Sequence, residues 1–338
     1  MRQMKLHLLT LILFVLSSGV NTNINAQGKF AKSGSAGGQF LKIGIGARAI
    51  GMGGSFVAVA NDISALYWNP AGITRLENST LIISHNKWIA DTNFEFIGFA
   101  TTINRNSAIG FYFSYLNFGE IEQTTVRNPR GTGVTFSAYD YAIAGTFSHT
   151  LIEDFSVGVT LKYIRETIWN LNASTMAFDV GALFNPGIKP ITFGVSLSNF
   201  SPDLSYSGSN LYTESEYYDN SDPVDVELRT TPYPLPLIFR FGVAFELPQS
   251  EERSLVVSLE ADHLTDSEQK LNFGAEYNFI KGMDWRSGYR FNDDEGEYSV
   301  GFGLRYPLSD SVEGIFDYAY QSMGRLLNSH RISIRVNF

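Results

Sequence analysis

The stretch SLVVSLEAD, residues 254–262, decides how this sequence folds. Leu255, Val257, Leu259 and Ala261 fall on one side of an extended backbone, while Ser258, Glu260 and Asp262 fall on the other. Successive side chains of a strand point to opposite faces, so this spacing predicts a strand with one apolar and one polar face. The pattern recurs in Phe155, Val157, Val159, Leu161 and Tyr163 against Gly158, Thr160 and Lys162, and in Leu237, Phe239, Phe241, Val243 and Phe245 against Arg240, Gly242 and Ala244. It recurs again in Tyr298, Val300, Phe302, Leu304 and Tyr306, and at the end of the chain in Ile332, Ile334, Val336 and Phe338 against Arg331, Ser333, Arg335 and Asn337.

Followed along the chain, the alternation predicts strands near residues 81–88, 94–102, 107–117, 138–147, 155–168, 176–184, 191–199, 235–245, 254–263, 270–277, 283–291, 296–306, 311–320 and 330–338. An even strand number suits a closed antiparallel barrel. The connections agree. Every second one is short (103–106, 149–154, 185–190, 246–253, 278–282 and 307–310), and the two longest (118–137 and 200–234) fall in the other set. Barrels of the outer membrane have such short periplasmic turns and longer outer loops.

Composition points the same way. Charged residues make up 17% and aromatics 14%, with 26 Phe, 17 Tyr and 31 Gly, which suits strands with lipid-facing and interfacial aromatics. Lys162, Arg240, Glu260, Glu276, Arg286, Arg290, Arg305, Glu313, Asp317 and Arg335 all fall on the polar face, where a barrel places them in a wet lumen. A soluble sandwich has no way to bury fourteen apolar faces at once. No run after the N-terminus reaches 18 apolar residues, so no helix is expected to span.

At the N-terminus, Arg2 and Lys5 precede an apolar run from Leu6 to Leu16 and a polar stretch ending Asn25-Ala26, the order of a secretory signal peptide. The expected organisation is a signal peptide over 1–26, an N-terminal plug with a short helix over 27–79, and the barrel over 80–338. Without Arg2 and Lys5 the balance is 23 basic to 34 acidic residues, which argues against nucleic acid as a partner. There is no cysteine, so neither disulfides nor a lipid-bearing thiol is available.

Residues 27–79 do not alternate. They carry Gly44-Ile45-Gly46-Ala47-Arg48-Ala49, then Gly51-Met52-Gly53-Gly54, then Asp62 as the expected helix N-cap and Trp68-Asn69-Pro70-Ala71-Gly72, with Pro70 ending that helix. The segment Phe40 to Gly72 resembles the PorV/PorQ family of outer-membrane proteins, relatives of the FadL long-chain fatty-acid transporters. The resemblance implies an outer-membrane barrel of about 14 strands with the plug (hatch) inside it and both termini periplasmic. It also implies a docking or shuttle component for type IX-like protein secretion, with a translocon or secreted cargo as protein partners beside the membrane lipid. The alternative is a FadL-like transporter, in which a small apolar ligand such as a fatty acid enters between the outer loops and leaves by displacing the plug. In either case Gly51, Gly53, Gly54, Asn69, Pro70, Ala71 and Gly72 are the expected plug or gating residues.

The outer loop around 200–234 carries Tyr206, Tyr212, Tyr217 and Tyr218 with acidic residues, an expected docking surface. Its acids, and those at 293–297, are read as solvated loops, with calcium as the competing reading. The glycines at 44 and 46 match a dinucleotide fingerprint only formally, since no βαβ unit surrounds them. His85, His149, His263 and His330 lie at no ligand spacing, and no nucleophile elbow exists. No catalytic residue, metal or cofactor is expected, and the chain is read as a non-enzyme.

Overall fold

The computed structural model describes residues 34–187, 190–215, 222–250, 253–293 and 296–338. The expected signal peptide, the start of the expected plug, Tyr217 and Tyr218 lie outside them. Fourteen long strands follow one another: β1 (Thr80–Lys87), β2 (Asn93–Asn104), β3 (Ser107–Glu122), β4 (Thr135–Ile152), β5 (Phe155–Ile168), β6 (Leu171–Phe184) and β7 (Ile191–Phe200). After the long connection come β8 (Ile238–Ser250), β9 (Arg253–Leu264), β10 (Lys270–Ile280), β11 (Met283–Phe291), β12 (Tyr298–Ser309), β13 (Val312–Ser322) and β14 (Asn328–Asn337). Each pairs antiparallel with its neighbour, and β1 pairs with β14 from Thr80↔Asn337 to Lys87↔His330. The sheet therefore closes on itself, and most of its ladders are satisfied internally.

The expected strand order and number are borne out. Strands run longer than the alternation alone suggests, because β3 and β4 continue as a paired ribbon past residue 117 to Glu122↔Thr135. At one end of the barrel, the turn end, the hairpins are tight, and a register shift of one residue precedes most of the turns, as between Thr102 and Asn104 and between Pro307 and Ser309. At the opposite, loop end lie the connections 88–92, 123–134 and 201–237.

The two faces of the sheet invert the burial order of a soluble protein. Outward residues are apolar and exposed, with Phe111 at 58% and Trp285 at 55%, whereas inward Asp317 is 0% and Arg286 2% exposed. An uninterrupted apolar outer band has no partner in water but suits a hydrocarbon solvent.

The wall has one irregular seam. β6 pairs with β7 only through 178–184, with a shift around left-handed Asn199 (φ 67°), and residues 173–177 have no strand partner on that side. Residues Ser207–Gly208 rejoin the edge at Leu171 and Asn172, and the carbonyl of Pro202 accepts from Thr175 Oγ1 at 3.4 Å.

Residues 34–79 pack against and bond to inward residues of the strands, among them Glu260 and Glu276. They form a 3-10 turn (Gln39–Lys42), helix α1 (Ala47–Gly51), helix α2 (Ala65–Trp68) and a second 3-10 turn (Pro70–Arg75). Phe56, Val57, Val59, Ile63, Leu66 and Ile73 are fully buried, and all of these but Val57 pack in one apolar core with inward strand residues such as Ile82, Phe96, Leu116 and Ile164.

Candidate functional site in the barrel lumen

In the turn-end half of the lumen the charged residues form a closed ring. Arg48 of α1 grips Glu276 with two bonds, Nε to Oε2 at 2.8 Å and Nη2 to Oε1 at 2.7 Å, and reaches Asp62 at 3.0 Å. Glu276 also accepts from Arg286 at 2.6 Å, and Arg286 donates to Asp317 at 2.6 Å. Asp317 accepts from Arg335 at 2.7 Å, and Arg335 reaches back to Asp62 at 2.9 Å. Three acids and three guanidiniums alternate around it, so each buried charge has two opposite neighbours, the condition under which burial is tolerable. The sequence reading of a wet lumen is corrected here: these groups are buried against residues 34–79. Burial pulls the Asp62 carboxyl upward, but Arg335 and Arg48 outweigh it and hold the group down at about 2.

Asp62 is also not the N-cap expected for α2. The residue before that helix is Ser64, and Asp62 Oδ1 accepts the Ser64 N–H at 2.8 Å in a local turn, leaving its second oxygen for the ring. Pro70 does not merely stop a helix, because it opens the second 3-10 turn with Asn69 as its cap. Asn69 Oδ1 accepts from Ala71 N–H at 3.2 Å, while Nδ2 donates to the carbonyls of Val57 at 2.8 Å and Ala182 of β6 at 3.0 Å. Gly53 has φ 69°, and a Cβ on Gly288 of β11 would stand 2.0 Å from its nitrogen, so segment and wall meet backbone to backbone. Gly51, Ala71 and Gly72 are buried in the same segment, and Gly54 follows Gly53 with φ 76°.

The loop-end half differs. Above α2 lies a cavity of about 670 Å³, within the range of small-molecule sites. Phe40, Trp68, Trp88, Leu116, Ile238 and Met323 give it apolar surface, and Arg240, Asp262, Asn272 and Arg331 give it polar surface. The Arg240 guanidinium lies over the rings of Tyr67 (5.4 Å) and Trp68 (5.2 Å). Its carboxylate neighbours are distant, Glu260 at 3.8 Å and Asp262 at 4.0 Å. Arg240 Nε, Asp262 Oδ1, Asn272 Oδ1 and Arg331 Nε are buried without a hydrogen-bond partner among the described residues. Glu260 accepts the N–H groups of Phe56 and Val57, both at 2.7 Å, and so ties the segment to β9.

On the opposite wall Asp140 and Glu166 face each other across β4 and β5, both buried and both lining the cavity. Glu166 accepts the Gly38 N–H at 2.7 Å and the Tyr206 hydroxyl at 3.2 Å. Tyr206 packs against Tyr233 with centroids 6.0 Å apart, and burial pushes the Tyr233 hydroxyl up to about 12, so both phenols remain donors. Tyr206 thus closes over the N-terminal segment, whereas Tyr212 stands 61% exposed on the ribbon Tyr212–Ser215. The inward parity of Arg331 and Arg240 was readable from the alternation. Their unequal pairing was not.

The histidines lie away from this cavity. His85 meets Glu95 at 2.6 Å on the outer surface, His330 meets Tyr318 at 2.7 Å, and His149 meets Ser107 at 2.9 Å at the turn end. Among the described residues no group of three or more His, Asp or Glu forms a metal cage.

Residues 15–168 match the model of an uncharacterised protein family, UPF0164. None of the curated proteins matches the sequence. Among solved structures the chain is similar to the Pseudomonas putida toluene transporter TodX (12% identity, 87% of this chain and 97% of that one, TM-score 0.57). It is also similar to the CymD monoaromatic hydrocarbon channel (14% identity, 88% and 98%, TM-score 0.56) and to a Pseudomonas aeruginosa FadL homologue (12% identity, 86% and 97%, TM-score 0.53). At such identities the likeness is one of fold, and it is to channels and transporters rather than enzymes. The fold of this chain is that of a FadL-like, closed fourteen-strand antiparallel barrel.

Proposed function

We propose that this protein is an outer-membrane channel for small hydrophobic compounds, with residues 34–79 as its plug. The observation that carries the reading is the 670 Å³ cavity roofed by loop-end connections and floored by Trp68 of the enclosed segment. The exposed apolar outer band supports strands set in the membrane, and on this reading the short turns and both ends of the barrel face the periplasm and residues 1–26 direct export. Ligand enters between the outer loops and rests on Trp68 and Tyr67. Leaving by wholesale displacement of the plug would break the closed ion-pair ring, so the physically cheaper exit is sideways, toward the unpaired edge at residues 173–177 of β6. Gly51, Gly53, Gly54 and the Asn69–Gly72 turn hold the plug rather than swing it. The comparisons lend nothing to a docking role in protein secretion.

The test is uptake of labelled toluene into outer-membrane vesicles carrying the full chain, against vesicles without it. Uptake that saturates and falls on Trp68→Ala supports the channel; uptake equal to that of empty vesicles refutes it.

A further inference from the structure

The loop-end cavity contains a charge that a passage for plain hydrocarbons does not need. Arg331 of β14 is 2% exposed and lines the cavity. Its Nη1 donates to the carbonyl of Gly44, and its Nη2 donates at 2.7 Å to the Asn86 side-chain oxygen once that amide is oriented to satisfy both its ends. Its Nε has no partner among the described residues. Arg48, Arg286 and Arg335 each hold carboxylates, whereas Arg331 takes part in no ion pair among the described residues.

Two features set the sign of what is missing. A guanidinium does not lose its proton, so unlike a buried carboxylate it cannot relieve its burial by becoming neutral. Arg290 on the same side adds positive charge, and its acid, Asp293 at 3.3 Å, is shared with Lys270 at 2.7 Å. Arg240 also presents an unpartnered Nε at the cavity, and its face is already occupied by Trp68 and Tyr67. Opposite stand Asp140 and Glu166, which repel a negative head and turn it toward Arg331. The surfaces between the two poles are largely aromatic: Trp68, Tyr67, Trp88, Phe40, Tyr206 and Tyr233. Such rings favour offset or edge-on packing with another ring.

We infer that the ligand of this cavity is an aromatic carboxylate, its carboxylate received by Arg331 and its ring lying against Trp68 and Tyr67. The inference rests on the channel reading above and narrows it. The full chain in detergent micelles is titrated with 4-ethylbenzoate, with the uncharged 4-ethyltoluene and with octanoate, following the tryptophan fluorescence, to which Trp68 and Trp88 at the cavity contribute, against protein-free micelles. The expected result is 4-ethylbenzoate binding about tenfold or more tighter than 4-ethyltoluene, the difference one charge-assisted hydrogen-bonded pair supplies. Arg331→Gln is expected to abolish that preference by weakening 4-ethylbenzoate the more, and Arg331→Lys to keep part of it.

Equal or tighter binding of 4-ethyltoluene sinks the carboxylate assignment while leaving the channel reading intact. Octanoate binding as tightly as 4-ethylbenzoate removes the aromatic half of the claim. A preference that survives Arg331→Gln, or vanishes entirely in Arg331→Lys, takes the role away from the charge of this residue. No binding of any probe overturns the channel reading together with the inference. The wild-type titrations stand by themselves if the glutamine variant does not insert.

Discussion

The two halves of the lumen use the same residue types and treat them differently. At the turn end, Arg48, Asp62, Glu276, Arg286, Asp317 and Arg335 close on one another with every contact at 3.0 Å or less. At the loop end, Arg240 stays 3.8 Å from its nearest carboxylate, Arg331 pairs with none among the described residues, and Asp140 faces Glu166 across the sheet. Like charges placed directly opposite destabilise a strand pair, so the second arrangement is not explained by stability. On the proposed reading, the difference separates scaffold from site. Fully satisfied polar networks rigidify a core, while unmatched polar atoms beside a cavity mark where a ligand completes the set.

The sharpest way to break this contrast is to open the ring. Glu276→Gln leaves Arg48 and Arg286 without their shared carboxylate and is expected to lower stability by about 3–5 kcal/mol, read as an earlier midpoint of heat-induced unfolding on gels. A change under 1 kcal/mol would show that the ring is no scaffold. Gly288→Val drives a side chain into Gly53 at the same level, and overpacking of this kind costs about 1–3 kcal/mol or more; unchanged stability would mean that the segment is free to shift.

Acid sharpens the comparison further. The Asp62 carboxyl is depressed in the fold, from 3.8 to about 2, so its contribution is complete above pH 4 and is lost as pH falls through 2. That window amounts to roughly 2 kcal/mol, and Asp62→Asn is expected to remove this part of the acid dependence in denaturant titrations at stepped pH. The smallest effect belongs to the exposed loop. Tyr212→Ala should change stability by less than about 0.5 kcal/mol, and toluene uptake should stay the same. Loss of uptake would move part of the site onto the ribbon.

Much of this architecture is legible in the residues. The period-two pattern of SLVVSLEAD and its thirteen counterparts determines strands, faces and order, because one face of each strand is apolar and the other is small or polar. The alternation also assigns Arg331 and Arg240 to the inner face before any coordinates. It does not reveal that Asp62 serves the ring rather than a helix cap, since a cap needs only local chain and the ring needs Arg335, 273 residues away. Residues 27–79 carry no periodicity at all, and the turns of residues 34–79 take shape from the wall they press against. Which guanidinium finds a carboxylate and which is left at a cavity depends on strand register, barrel closure and the path of the enclosed segment. Those are distances between residues far apart in the chain, and only the tertiary structure decides them.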